Sequence, residues 1–247
     1  MERNVIDMGE FFNLDNKFFQ GLNKVIDCFG LSALWMICFI PLGLNIYFAK
    51  ATGVILFYLP CILTAVPAGA ATTGLYYSMN KSIRHGRGYV WGEFWHSFKS
   101  NFKQTSIITM ILAALTLVFA GDGYIMYQFA KAGEKVGSLI YVFLILIAFL
   151  EMWAIYIYAY VARFENTIKQ VLKNAALIAI GSLPMTLVLF AAFLGVLFII
   201  YLLPFLIIIL PALYVLLMNV ILEKIFRKYM SEEDIVAEEE RNRDFYN

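Results

Sequence analysis

One carboxyl stands deep inside a long apolar stretch of this 247-residue chain: Glu151, sixteen residues after Lys135 and twelve before Arg163. A charge at mid-bilayer costs at least about 2.5–3.5 kcal/mol, so an acid at that depth marks a proton relay or a cation site by default. The alternative is a protonated or hydrogen-bonded glutamate facing Asn, Ser, Thr or aromatic hydroxyls of its neighbours. No second deep charge is present to pair with it, which counts against an ion-coupled pump with a paired relay. The other chemistry-bearing residues are few. His85 and His96 are the only histidines, both in one polar stretch, and Cys28, Cys38 and Cys61 lie in apolar runs without a CxxC spacing. That set makes no zinc or di-iron centre, so neither metal nor cofactor is expected. GxxxxGK[ST], HExxH and GxSxG are all missing, so no catalytic residue is assigned and the chain does not read as an enzyme. "GDG" at 121–123 reads as a turn. "RHGRG" at 84–88 reads as a basic loop turning on two glycines, with anion binding as its alternative.

What would position Glu151 is a membrane. Hydrophobic residues make up 62% of the chain and charged ones 15%, where soluble domains average about 45–50% and about 25%. Mean hydropathy is +0.74. A net charge of +1 gives no basic face for nucleic acid. Charge-free runs predict six spans, at about 28–49, 53–80, 104–121, 136–161, 175–200 and 204–222. The last two share one run, 175–222, that as a single helix would be about 72 Å long at 1.5 Å per residue. It must fold back, near "YLLP" at 201–204. Residues 1–230 read as one membrane domain and 231–247 as an acidic cytoplasmic tail. Lys and Arg divide 16 to 3 between the two sides, which predicts both termini in the cytoplasm. The first span is too long, and its leader too mixed in charge, for a cleaved signal peptide.

Two patterns suggest contacts. In "YVWGEFWHSFKSNFKQT" (89–105), Trp91, Phe94, Trp95, Phe98 and Phe102 fall on one helical stripe, with His96, Ser97, Lys99, Ser100, Lys103 and Gln104 on the other faces. Rings on one side and lysines on the other describe a helix lying at the membrane surface. This stripe, with Lys99 and Lys103, is the candidate partner interface; the alternative is a plain aromatic belt. Residues 11–26 repeat the idea with Phe11, Phe12, Phe18, Phe19, Leu22, Val25 and Ile26. In "AVPAGAATTG" (65–74), the pairs Ala65/Gly69 and Ala70/Gly74 offer a small-residue face for close helix packing, and Pro60 and Pro67 should kink that span. A weak repeat links "FKSNFKQT" (98–105) to "IKQVLKNA" (168–175), both apolar-Lys-x-x-apolar-Lys where a span begins. Three similarly oriented hairpins would account for it, and so would coincidence.

The blocks "FFNLDNKFFQGLNKVIDCFGLSALWMICFIPLG", "VPAGAATTGLYYSMNKSIR", "GYVWGEFWHSFKSNFKQT" and "YVARFENT" with "LKNAALIAI" resemble the YesL-like family of bacterial integral membrane proteins. The resemblance implies a bacterial plasma membrane and an association with carbohydrate uptake or breakdown. It implies no catalytic residues. The expected molecule is therefore an all-α, polytopic membrane bundle of about six spans with amphipathic helices on its cytoplasmic side. It reads as an accessory or regulatory protein whose partners are the lipid bilayer and sugar-transport subunits or other membrane proteins. The alternative is a small-solute or ion permease using Glu151.

Overall fold

The computed structural model describes residues 17–85, 89–230 and 232, and every regular element among them is helical. The helices are α1 (Lys17–Thr52), α2 (Cys61–Thr64), α3 (Val66–His85), α4 (Val90–Lys131), α5 (Ile140–Arg163), α6 (Ile168–Gly181), α7 (Leu183–Leu202) and α8 (Leu210–Tyr229). Short 3-10 turns at Ile55–Tyr58, Lys135–Leu139 and Pro204–Ile208 join them. In a lipid solvent every backbone polar group must be satisfied within the chain, and helices do this segment by segment.

Local chemistry ends them. Gly53 takes φ +68° after α1, and its N–H closes on the Ala49 carbonyl at 3.1 Å. Gly133 takes φ +80° after α4, and the following Glu134 N–H reaches back to Phe129 O at 3.0 Å. That is the glycine-terminated cap in which the left-handed residue lets orphan carbonyls be paired. Pro60 opens α2, and a 40° bend at Ala65 separates Ile55–Thr64 from Val66–Ser82.

Four helices are long and apolar enough to cross a bilayer: Asn23–Thr52, Val90–Lys131, Lys135–Arg163 and Leu183–Leu202. The bent pair makes a fifth when taken as one broken span. The difference from six lies in the last hairpin. Residues 210–222 of α8 carry no charge, which is about 20 Å of helix against a hydrocarbon core of about 30 Å. Glu223, Lys224, Arg227 and Lys228 fill its last turns. The 175–222 run folds back at 203–209, close to the expected place, but it breaks a second time at Ser182, between α6 and α7. The surface helix expected ahead of span three is not separate. It is the first part of α4, a continuous helix of 42 residues and so about 63 Å long.

The helices form three antiparallel hairpins. Trp35 Nε1 donates to Thr72 Oγ1 at 3.1 Å and Cys61 Sγ lies 2.7 Å from Asn45 Oδ1, which registers α1 against α2 and α3. Thr109 and Tyr158 hydroxyls meet at 3.0 Å between α4 and α5. Tyr214 Oη donates to Leu189 O at 3.2 Å between α7 and α8. The second arms, α3, α5 and α8, run parallel and converge, so that their C-terminal turns share one end of the bundle. The core between them holds Leu75, Tyr76 and Met79 of α3, Tyr156, Ile157 and Val161 of α5, and Val215, Leu222 and Phe226 of α8, all buried.

Candidate functional site

Where α3, α5 and α8 converge, their last turns enclose a small cleft lined by Tyr76, Asn80, Ala159, Ala162, Arg163, Asn219, Leu222, Glu223 and Phe226. Its room is about that of one water. Each helix contributes a pair four residues apart: Tyr76 and Asn80, Ala159 and Arg163, Asn219 and Glu223. Such pairs share a helix face, so all three helices present the same kind of edge to the cleft. An amide, a guanidinium and a carboxylate occupy the three corresponding positions.

Arg163 Nη1 donates to Glu223 Oε2, and Arg227 Nε reaches the other carboxylate oxygen at 3.0 Å. The Arg163 side chain is only 7% exposed and that of Glu223 20%. The guanidinium lies over the rings of Phe164 and Phe226, at 5.2 and 5.8 Å from their centroids, which adds cation–π attraction to the pair. Desolvating both charges offsets much of their attraction, so the pair specifies how α5 and α8 dock more than it stabilises them. Asn219 Nδ2 donates to the Tyr76 carbonyl at 3.1 Å and ties α8 to α3. Asn219 is 4% exposed and lies inside the bundle. The pairing of Arg163 with Glu223 had no sequence signal, because 60 residues separate them.

A second polar knot holds the α5–α6 connection. Gln104 Nε2 donates to Asn166 O at 2.6 Å, and Asn166 and Asn174 amides donate to the Tyr160 hydroxyl at 3.2 and 3.0 Å. Thr167 and Gln170 form a reciprocal capping box at the start of α6, satisfying two orphan donors of its first turn.

Glu151 lies on the side of α5 that faces α4 and is partly buried. Gly123 against Phe143 and Thr109 against Tyr158 set the α4–α5 register, which brings residues 115 and 116 opposite it. The Thr116 hydroxyl there is turned back to Leu112 O at 2.9 Å. Glu151 makes no hydrogen bond or ion pair among the described residues. It is far along α5 from the cleft and from Arg163, and the structure does not bring the two sites together.

The aromatic stripe divides between inside and outside. Phe94 is fully buried, packed where a side chain at Gly74 would come within 3.1 Å of its carbonyl oxygen. The Trp91 ring covers Gly30 of α1. Trp95, Lys99, Phe102 and Lys103 are exposed, while Phe98 is partly buried and bridges the rings, 5.3 Å from Trp95 and 5.5 Å from Phe102. Ser97, expected on a polar outer face, is 1% exposed and points inward. The inner face of this stretch is therefore Val90, Phe94 and Ser97, rotated from the apolar stripe. Where lipid is as apolar as leucine, an apolar stripe does not mark the buried side.

The small-residue face packs against α4. Ala65 and Ala70 are buried, and a Cβ on Gly69 would overlap the Thr109 side chain. The stretch 11–16 of the N-terminal aromatic stripe, the RHGRG glycines and the acidic tail beyond Glu232 lie outside the described residues.

Residues 29–122 match the model of a family described as "Protein of unknown function, DUF624". The match runs through the first hairpin and most of α4, and covers the small-residue face and the aromatic stripe. No curated protein and no solved structure matches the chain. The chain is thus a helical membrane protein with a DUF624-like N-terminal portion.

Proposed function

We propose that the protein is a non-catalytic accessory or regulatory component of a bacterial plasma-membrane system for carbohydrate uptake or utilisation, with both termini cytoplasmic. The observation that carries this reading is the continuity of α4. Its apolar part is held in the bundle by Thr105, Ile108, Thr109 and Leu112. The same rigid helix extends by about four turns to present Trp95, Lys99, Phe102 and Lys103 on its free face. A rigid helix that is anchored in the membrane and keeps one face of its first four turns free is suited to holding a neighbouring membrane protein in register. The carbohydrate context and the bacterial membrane rest on the resemblance to YesL-like proteins. Photo-crosslinking from positions 95 and 102 in native membranes tests the reading. The expected product is an adduct with a transporter subunit or a polysaccharide-utilisation enzyme; lipid adducts alone would refute it.

One observation favours a second reading, a small-solute or ion permease. Glu151 sits at the α4–α5 seam with no hydrogen-bond or ion partner among the described residues, and a carboxyl so placed can exchange a proton or hold a cation. Proteoliposome flux would decide: a Glu151→Gln protein that supports every proton-linked or solute flux of the parent refutes this mechanism.

A further inference from the structure

We propose that the starts of α4 and α6 together form a recognition surface for the phosphodiester headgroups of anionic phospholipids, in the leaflet at the charged end of the bundle. The inference rests on how two similar helix starts are brought side by side. Lys99 and Lys103 open the membrane part of α4, Lys169 and Lys173 open α6, and all four are exposed.

The likeness of the two helix starts extends to their packing. Seventy residues apart, Thr105 and Ala175 are both 0% exposed, Ile108 and Ile178 are 0% and 7%, and Thr109 and Ala179 are 5% and 7%. Relative to these packed positions each lysine pair emerges at the same turn, and hence at the same distance from the buried segment. The 2.6 Å bond from Gln104 to Asn166 O sets Lys103 beside the residues that lead into Lys169. Four cations therefore share one level, with the start of α4 tied to the connection that leads into α6.

Lysines at i, i+4 repel each other, and none of these four forms an ion pair among the described residues. The described acids of these two helix starts do not neutralise them. Glu93 is committed to Lys81 at 2.8 Å, and exposed Glu165 stands alone in the α5–α6 connection. Among the described residues, no acid supplies their counter-charge. Trp95 and Phe102, 41% and 40% exposed, follow the same face of α4 as Lys99 and Lys103. Amphipathic rings settle at headgroup level while lysine stems lie along the acyl boundary with their ammonium groups at the phosphates. An acidic soluble partner would have to displace lipid from those rings, whereas anionic lipid satisfies rings and lysines together. This surface shares Trp95, Lys99, Phe102 and Lys103 with the face proposed for a protein partner, and lipid occupies it in the reconstituted protein, where no such partner is present; Lys169 and Lys173 belong to the lipid surface alone.

Brominated-lipid quenching tests it. The parent is reconstituted in phosphatidylcholine vesicles in which either phosphatidylglycerol or phosphatidylcholine carries brominated acyl chains. The fluorescence difference between parent and Trp95→Phe isolates the Trp95 signal. We expect phosphatidylglycerol to be preferred beside Trp95 by at least about fivefold at low salt, the share of one fully engaged lysine, and the preference to fall in 1 M salt as charges are screened. The fourfold variant Lys99→Gln, Lys103→Gln, Lys169→Gln, Lys173→Gln should bring the ratio close to one. No preference in the parent, or an unchanged preference in the variant, overturns the proposal. Phosphatidylglycerol co-purified with each protein in mild detergent gives a second readout, expected to drop in the variant.

Discussion

Replacing Gly69 by alanine adds one methyl group at the closest approach of α3 and α4, and its cost follows from what that methyl meets. A Cβ at Gly69 overlaps the Thr109 side chain, which is itself engaged with the Tyr158 hydroxyl at 3.0 Å. Thr109 must rotate away or the helices must separate. Forcing extra volume into a packed seam costs about 1–3 kcal/mol, and loss of an interhelical hydrogen bond in a membrane adds about 0.6 kcal/mol. Alanine's better helix propensity returns up to about 1 kcal/mol. With the full propensity gain subtracted, the net expectation is a loss of about 0.6–2.6 kcal/mol. Gly195 provides the control, since no atom lies within 4 Å of its would-be Cβ; Gly195→Ala should be neutral or slightly stabilising. Reversible unfolding in mixed micelles, followed by tryptophan fluorescence, measures both. Adding Thr109→Ala to Gly69→Ala should recover part of the loss, and the double-mutant cycle should show coupling between the sites. If Gly69→Ala is as stable as Gly195→Ala, or if the cycle is additive, the close-packed seam is not what holds α3 to α4.

Three further outcomes follow from the charged end and the loops. Arg163→Met should destabilise by about 3 kcal/mol, the low end for a broken buried pair because Arg227 remains beside Glu223, and Arg163→Met with Glu223→Leu should recover much of it in the same unfolding assay. Thr167→Ala removes the cap of α6 and should cost about 1 kcal/mol, with hydrogen exchange accelerated at the first turn of α6 and unchanged in α3. With the native cysteines replaced, impermeant thiol reagents added outside cells should label a cysteine at Gly133 and not one at Ser100; the reverse pattern would invert the assigned topology.

The membrane character and most helices were legible in the sequence, because charge is excluded from the hydrocarbon and Lys135, Arg163 and Gly133 sit where helices meet water or turn. Pro60 announced the broken span, and the length of the 175–222 run announced the fold-back. The break at Ser182 has a local signal, Gly181 and Ser182 ahead of Pro184 in the first turn of α7, but no charge interrupts the run there to separate two helices from one kinked span. The orientation of α4 was misleading for a physical reason. Amphipathic periodicity locates a face, but in lipid the apolar face can turn outward while Phe94 and Ser97, from different sides of the sequence stripe, turn in. The cleft of Asn80, Arg163 and Glu223 could not be read from any local window. Each residue sits near a span end, where a polar group is unremarkable, and only the convergence of three distant helices makes them neighbours.

The Arg163–Glu223 pair also constrains the order in which the protein can be made. Arg163 leaves the ribosome 60 residues ahead of its partner, which at about 5–20 residues per second is roughly 3–12 s of synthesis. Throughout that interval the first two hairpins exist without α8, which brings Asn219, Leu222, Glu223 and Phe226 to the cleft. The cleft between α3 and α5 therefore lacks its third wall until α8 arrives. Closure of the cleft thus records that the last helix of the bundle has been delivered. A chain truncated before α8 would leave the Arg163–Glu223 pair unmade and the cleft open on one side.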